Sequence, residues 1–231
     1  MTQARKVVVV ADEVGVYHCI SRCVRRAFLC GEDVYSGRNY AHRRAWVRDR
    51  VQHLSALFGI EVFAYSVMSN HLHLVLRNRS DRVAQWGDRE VAERWCRVCP
   101  GKAALERGEP YDVNKFKALL NDAAMLEVVR HRLSDLSWFM RCLNEFLARR
   151  ANREDGCTGR FWEGRFRCQR LMDAGAMLAC MAYVDLNPVR AQIADGLDDS
   201  QFTSVYDRVM AQRARVRLKA LGSISDPTVE Q

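Results

Sequence analysis

The sequence predicts an α+β fold. Three observations carry this. Strand-like segments stand near 14–22, 61–68 and 71–77, and 166–172 could be a fourth. Helices stand near 38–58 and 137–150 by amphipathic period, and near 174–186 as a capped apolar run. A charged stretch at 81–131, poor in β-branched runs, interrupts them as short helices would.

Taken in order, Val14, Val16, His18 and Ile20 alternate with Gly15, Tyr17, Cys19 and Ser21, which reads as a strand. Over 38–58, Val47, Val51, Leu54 and Phe58 recur at helical spacing, and Gly59 is a helix stop. Glu61–Met68 and His71–Arg77 read as two strands joined by a tight turn at Ser69-Asn70. Phe139, Cys142, Leu143, Phe146 and Leu147 share one face of a helix over 137–150. Asp173 is an N-cap for a helix from Ala174 to about Leu186, which Pro188 is expected to end or kink at Asn187. That helix is so apolar that it is expected to be largely buried. From Gln212 the chain is basic, then polar, and is expected to be loose.

A chain of 231 residues suits one domain, or a core domain with an insertion. With 48% apolar and 28% charged residues a packed core forms, and global disorder is excluded. The longest apolar stretch, Ala176–Val184, falls far short of the ~20 residues of a membrane span, so no membrane partner is expected. The odd number of cysteines, nine, reads as free thiols in a reducing cytoplasm. Cys96-Arg97-Val98-Cys99 is a lone C-x-x-C, and a zinc site would want a second pair. The net charge is +8, and 31 of the 36 basic residues are Arg. Guanidinium grips phosphate in a fork, so the balance points to nucleic acid, although base composition of a genome produces the same bias.

Three constellations carry chemistry. His71 and His73 alternate on one strand face, ~6.6 Å apart by the rise per residue. The Leu72, Leu74, Leu76 side is expected to pack on helices and the His side to look out of the sheet. Two such imidazoles can share a metal ion, or be solvated strand histidines. Tyr183 and Asn187 lie one helical turn apart, where the phenol could be a nucleophile and the amide a ligand, or Tyr183 a core tyrosine. Between 141 and 170 eight Arg stand against four acidic residues, with Phe161, Trp162 and Phe166 interleaved, a pattern that suits a single strand of nucleic acid or a self-paired helix surface. Arg22, Arg25 and Arg26 form a smaller cluster.

Met68-Ser69-Asn70-His71-Leu72-His73-Leu74-Val75 resembles the His-hydrophobic-His signature of the HUH nucleases, and Tyr183 to Arg190 (YVDLNPVR) resembles the tyrosine helix of single-tyrosine transposases. Tyr17-His18-Cys19-Ile20-Ser21-Arg22 and Arg160-Phe161-Trp162-Glu163-Gly164-Arg165-Phe166 resemble the same family, in the same chain order. The branch most similar is the REP-associated tyrosine transposases (RAYT). The resemblance covers 14–78 and 137–205 and leaves out 79–136, longer than in the family.

The resemblance implies a ferredoxin-like sandwich, with a central antiparallel sheet and helices on one face, in one catalytic domain over 1–231. A helical insertion at 79–136 and a basic C-terminal tail at 206–231 complete it. It implies that His71, His73 and Asn187 hold Mg²⁺ or Mn²⁺. It implies that Tyr183 attacks a phosphodiester of single-stranded DNA, leaving a 5′-phosphotyrosine and a 3′-hydroxyl. Arg22, Arg25, Arg26, Arg160, Arg165, Arg167 and Trp162 would grip a hairpin and its single-stranded foot, and the Arg213, Arg215, Arg217, Lys219 tail would add phosphate contacts or cover the site. A monomer is expected over a homodimer. Covalent storage of bond energy fits the lack of a phosphate-binding G-x-x-x-x-G-K-[ST] motif. Two other readings stay open: a domesticated hairpin binder without cleavage, and a zinc-stabilised helical protein built on Cys96 and Cys99.

Overall fold

A computed structural model describes residues 13–24, 28–33, 36–197 and 199–220. The elements follow as β1 (Gly15–Arg22), β2 (Glu32–Asp33), β3 (Arg38–Asn39), α1 (Arg43–Leu57), β4 (Ile60–Val67) and β5 (His71–Asn78). Then come α2 (Ser80–Val83), α3 (Asp88–Val98), α4 (Lys102–Glu106), α5 (Val113–Leu120), α6 (Ala123–Ser134) and α7 (Leu136–Glu154). Last are β6 (Arg167–Leu171), α8 (Ala174–Arg190) and α9 (Ser204–Ala220).

The main sheet runs β4-β5-β1-β6, every pair antiparallel. With α1 between β1 and β4, and α7 before β6, this is the β-α-β-β-α-β order of a ferredoxin-like sandwich. Leu72, Leu74, Leu76, Tyr17 and Cys19 face Val47, Val51, Phe139 and Leu143 of α1 and α7 in one buried cluster. That cluster continues into 79–136 through Val91, Trp95, Phe116, Leu126 and Leu133, so the inserted helices share the core of the sheet.

The backbone of the β4–β5 hairpin closes with Met68 N–H donating to His71 C=O at 2.9 Å. Gly59 sits where a Cβ would lie 2.2 Å from Cγ2 of Val83, so its lack of a side chain lets the chain entering β4 pass against α2. Asp112, Asp122, Asp135 and Asp173 cap α5, α6, α7 and α8, each accepting from backbone N–H groups of the first turn.

Five expectations change. The helix expected from Arg38 begins at Arg43, because residues 38–39 pair with β2 and the Tyr40 N–H donates to Gly31 C=O at 2.7 Å. Pro188 lies within α8, which runs on to Arg190. The lost N–H is confined to the last turn, and the Ala191 N–H still reaches Asn187 C=O at 3.0 Å and the Ile193 N–H reaches Pro188 C=O at 2.8 Å. α8 is not largely buried: Val184, Asp185, Asn187 and Pro188 are, whereas Leu178 is 62% exposed, because one helical face alone meets the sheet. The segment expected to be loose from Gln212 is helical as far as Ala220. The His side of the sheet does not look out: α8 covers it through Ala64, Val75 and Val184. Helices therefore lie on both faces, α1 and α7 on one and α8 on the other.

α9 is fastened to the β4 edge. Ser204 Oγ accepts from the Tyr65 N–H at 3.1 Å, Tyr65 Oη donates to Asp207 Oδ2 at 2.6 Å, and Arg208 reaches Phe63 C=O at 3.1 Å. Arg208 also pairs with the buried Asp185 of α8, whose other oxygen accepts from Ser204 Oγ at 2.7 Å. Among the described residues no helix is long and apolar enough to cross a membrane.

Candidate active site

The register of β1 on β5 sets Arg22 opposite His71, Ile20 opposite His73 and His18 opposite Val75. Antiparallel partners share a face, so three histidines gather beneath α8. The rings of His71 and His73 stand 4.8 Å apart and nearly perpendicular. His18 stacks on His73 at 5.2 Å, with its Nε2 2.9 Å from Nδ1 of His73. His71 Nδ1 lies 2.7 Å from Oδ1 of Asn70; the amide oxygen accepts, so Nδ1 carries the proton and Nε2 keeps its lone pair. Nε2 of His73 is buried without a hydrogen-bond partner.

Tyr183 lies on this same side of the sheet. Its ring is edge-on to His73 at 5.8 Å and to His18 at 6.2 Å, with the Arg190 guanidinium 5.5 Å from its centre. The side chain is 41% exposed. Between these groups opens a cleft of about 410 Å³, lined by Ile20, Arg22, His71, His73, Glu163, Gly164, Arg165, Arg167 and Tyr183. No ion pair engages Arg22, Arg165 or Arg167 among the described residues, so the cleft presents three open guanidiniums against one carboxylate, Glu163.

Burial favours the neutral form of all three histidines. It lowers His18; it lowers His71 with help from the Arg22 charge; and with His71 and His18 it pushes His73 down to about 3. A metal binds neutral imidazole, and ligating histidines commonly have their second nitrogen held by a neighbour. His71 and His73 have that pattern: Nδ1 engaged by Asn70 and His18, Nε2 open. The residues present therefore fit a divalent ion through two imidazoles. Among the described residues no set of three or more His, Cys, Asp or Glu side chains is poised to hold one.

Not every expected residue meets here. Asn187 is buried, with its Nδ2 unpartnered, and is not part of the cleft lining. Arg160 is exposed and outside the lining. Trp162 belongs to a neighbouring cleft, its indole N–H donating to Asn144 C=O at 2.8 Å. Arg25 and Arg26 lie outside the described residues, as do the side chains of Arg217 and Lys219 and everything after 220. Other Arg residues of 141–170 are spent on structure: Arg149 pairs with Glu145, Arg150 covers the Trp46 ring at 4.0 Å and Arg170 pairs with Glu13 at 2.6 Å. Cys96 and Cys99 gather no zinc set; Cys99 instead interacts with Cys142 of α7.

His18, Glu163 and Arg190 are the site residues that motif reasoning did not assign. The alternation of β1 places His18 on the face of Ile20 and Arg22, which is the signal that finds it once β1 is paired with β5.

No protein-family model matches the chain, and no curated protein does. Among solved structures the chain is similar to a REP-associated tyrosine transposase bound to a REP hairpin. The TM-score is 0.51 at 13% identity, covering 91% of this chain and 86% of that one, and the likeness is one of fold.

Proposed function

We propose that the chain is an HUH-type single-strand DNA nuclease and strand transferase that acts on hairpin DNA. One observation carries this reading: the Tyr183 ring and the paired imidazoles of His71 and His73 face one another across a cleft lined by three open arginines. The fold shared with a hairpin-bound transposase supports the class of substrate.

Arg22, Arg165 and Arg167 bind the strand by its phosphates. His71 and His73 hold Mg²⁺ or Mn²⁺, through Nε2, with His18 and Asn70 fixing their tautomers. Asn187, the third, polar contributor of the family pattern, stands one turn from Tyr183 but off the cleft lining, and would have to turn toward the ion to join it. The ion, when bound, polarises the phosphate and offsets charge on its oxygens. Tyr183 Oη attacks phosphorus; the Oη–P bond forms as the bond to the 3′-oxygen breaks. The phenol proton leaves to solvent in the open cleft, and the 3′-oxygen takes one up. The products are a 5′-phosphotyrosine and a free 3′-hydroxyl, and attack by another 3′-hydroxyl reverses the step. The protein acts as a monomer in the reducing cytoplasm, where its cysteines stay free.

A labelled single strand carrying a hairpin and a short unpaired foot, incubated with Mn²⁺, gives a covalent protein–DNA adduct. Tyr183→Phe abolishes it, and an adduct that persists in this variant removes Tyr183 as the nucleophile. A second reading, a hairpin binder that does not cut, is favoured by the position of Asn187 off the cleft. Tight hairpin binding with no adduct in any divalent metal selects it.

A further inference from the structure

The C-x-x-C of residues 96–99 has no part in the tyrosine cleft, and its two thiols separate in the fold. Cys96 is buried in the core. Cys99 is the C-cap of α3, its N–H donating to Trp95 C=O at 3.1 Å, and is partly exposed. Its thiol hydrogen-bonds to that of Cys142 on α7. The inserted helices α4, α5 and α6 lie between these two cysteines in the chain, so the pair bridges the insertion and the core.

Cations converge on this pair from two further helices. Lys115 of α5 donates from Nζ to Cys99 C=O at 2.7 Å, which offsets the negative end of α3 and sets a positive charge beside the thiol. The Arg50 guanidinium of α1 lies 4.8 Å from the ring centre of Phe146, one turn beyond Cys142. Its Nε is buried without a hydrogen-bond partner, and the negative charge it faces is that of Cys142 and Cys99. Glu145 of α7 is the carboxylate that opposes them at both thiols. The hydrogen bond from Cys142, with these cations, brings Cys99 down to about 6, so it is largely thiolate at neutral pH. The same bond and burial keep Cys142 protonated as the donor.

A partly exposed sulfur flanked by cations and touching a second thiol has what peroxide chemistry requires, a nucleophile and a group to resolve its product. We propose that Cys99 and Cys142 form a site of reversible oxidation by hydroperoxides, with Cys99 attacking and Cys142 resolving. The Cys99 sulfur attacks a peroxide oxygen; the S–O bond forms as the O–O bond breaks, and the leaving oxygen takes up a proton and departs as water or an alcohol. Cys99 is then a sulfenic acid and carries no charge. The thiolate that held the Cys142 proton is gone, so Cys142 gives that proton up and its sulfur attacks the Cys99 sulfur. The S–S bond forms as the S–O bond breaks, and the hydroxide leaves with a proton as water. Two thiols have thereby passed two electrons to one peroxide, and a dithiol reductant reverses the change by exchange. The disulfide joins the end of α3 to α7 and closes a covalent ring through α4, α5 and α6. Neither cysteine lines the tyrosine cleft, so the site stands independently of strand transfer.

The test uses the full chain, reduced, freed of reductant and treated with an equimolar amount of hydrogen peroxide. Remaining thiols are alkylated and the protein is digested with trypsin for mass spectrometry. Arg97 stands between Cys96 and Cys99, so cleavage there separates the two: Cys99 falls in peptide 98–102 and Cys142 in peptide 142–149. These two peptides are expected to appear joined, about tenfold ahead of any oxidation of the exposed Cys157, and to come apart with dithiothreitol. In Cys142→Ser no joined peptide forms and dimedone captures the sulfenic acid on Cys99. In Cys99→Ser, Cys142 stays reduced. A wild-type digest without the joined peptide, a bond from Cys99 to Cys96 in its place, or oxidation of Cys142 in Cys99→Ser at the wild-type rate overturns the site. The wild-type digest decides even if a variant misfolds.

Discussion

Nε2 of His18 sits 2.9 Å from Nδ1 of His73, in rings stacked at 18°. One of these nitrogens donates and the other accepts, so each imidazole fixes the tautomer of its neighbour. The pairing leaves the second nitrogen of His73 buried and open.

On the proposal that His71 and His73 hold a divalent ion, removing that neighbour is expected to weaken metal binding without destroying it. In His18→Ala, Mn²⁺ affinity read by titration calorimetry falls about 10- to 100-fold, and the adduct is recovered at higher Mn²⁺. His73→Ala loses binding that no added Mn²⁺ restores. Equal Mn²⁺ affinity in wild type and His18→Ala would show that the stacked pair does not support a metal.

Arg43 ties the start of α1 to the end of α7. Its side chain is buried, donating to Glu154 Oε2 at 2.6 Å and to Phe28 C=O at 3.0 Å and pairing with Asp155. Arg43→Ala strands two partly covered carboxylates and a carbonyl, and is expected to cost about 3 kcal/mol in urea unfolding. A change below about 1 kcal/mol would mean that the network is as weak as a surface ion pair.

Gly59→Ala places a methyl against Cγ2 of Val83 and 3.2 Å from Arg79 C=O. Overpacking of this kind costs about 1–3 kcal/mol. Val83→Ala in the same chain opens the space, so the double variant is expected to be more stable than the sum of the two single changes allows. Strict additivity in thermal melts argues against the clash.

Cys99 and Cys142 hydrogen-bond to one another. The bond from Cys142, with Lys115 and Arg50 near, brings the Cys99 thiol down to about 6, while the same bond and burial push Cys142 up. The thiolate form of Cys99 is therefore gained as pH rises through about 6, and that of Cys142 is not reached at neutral pH. Iodoacetamide labelling at pH 7 followed by mass spectrometry is expected to modify Cys99 well ahead of Cys142 and of the buried Cys23. Cys142→Ser, whose hydroxyl keeps a donor in place, preserves part of that advantage.

Much of the fold was legible in the chain. The hairpin of β4 and β5 announces itself by alternation on both sides of Ser69-Asn70, and Asp173 marks the start of α8, because both signals are local. What was not legible depends on distant partners. His18 becomes a site residue only through the register of β1 on β5, which brings it diagonally beside His73. The helix at 204–220 is held through Ser204 and Arg208 on the buried Asp185 of α8, partners that no local pattern contains. Of the arginines, composition could not separate those spent on rings and carboxylates, such as Arg150 and Arg170, from those open in the cleft.

The fastening of α9 along β4 has a consequence for how molecules of this protein meet one another. The main sheet has two margins. On one, Thr203 bridges Ser66, and Ser204 and Arg208 occupy the outward amide of Tyr65 and carbonyl of Phe63, so no foreign strand can zip onto it. The opposite margin is β6, only five residues long, where Arg167 bears a positive charge and Arg170 is tied to Glu13. A shielded margin and a short charged one guard the sheet against runaway strand stacking, even when the protein is concentrated.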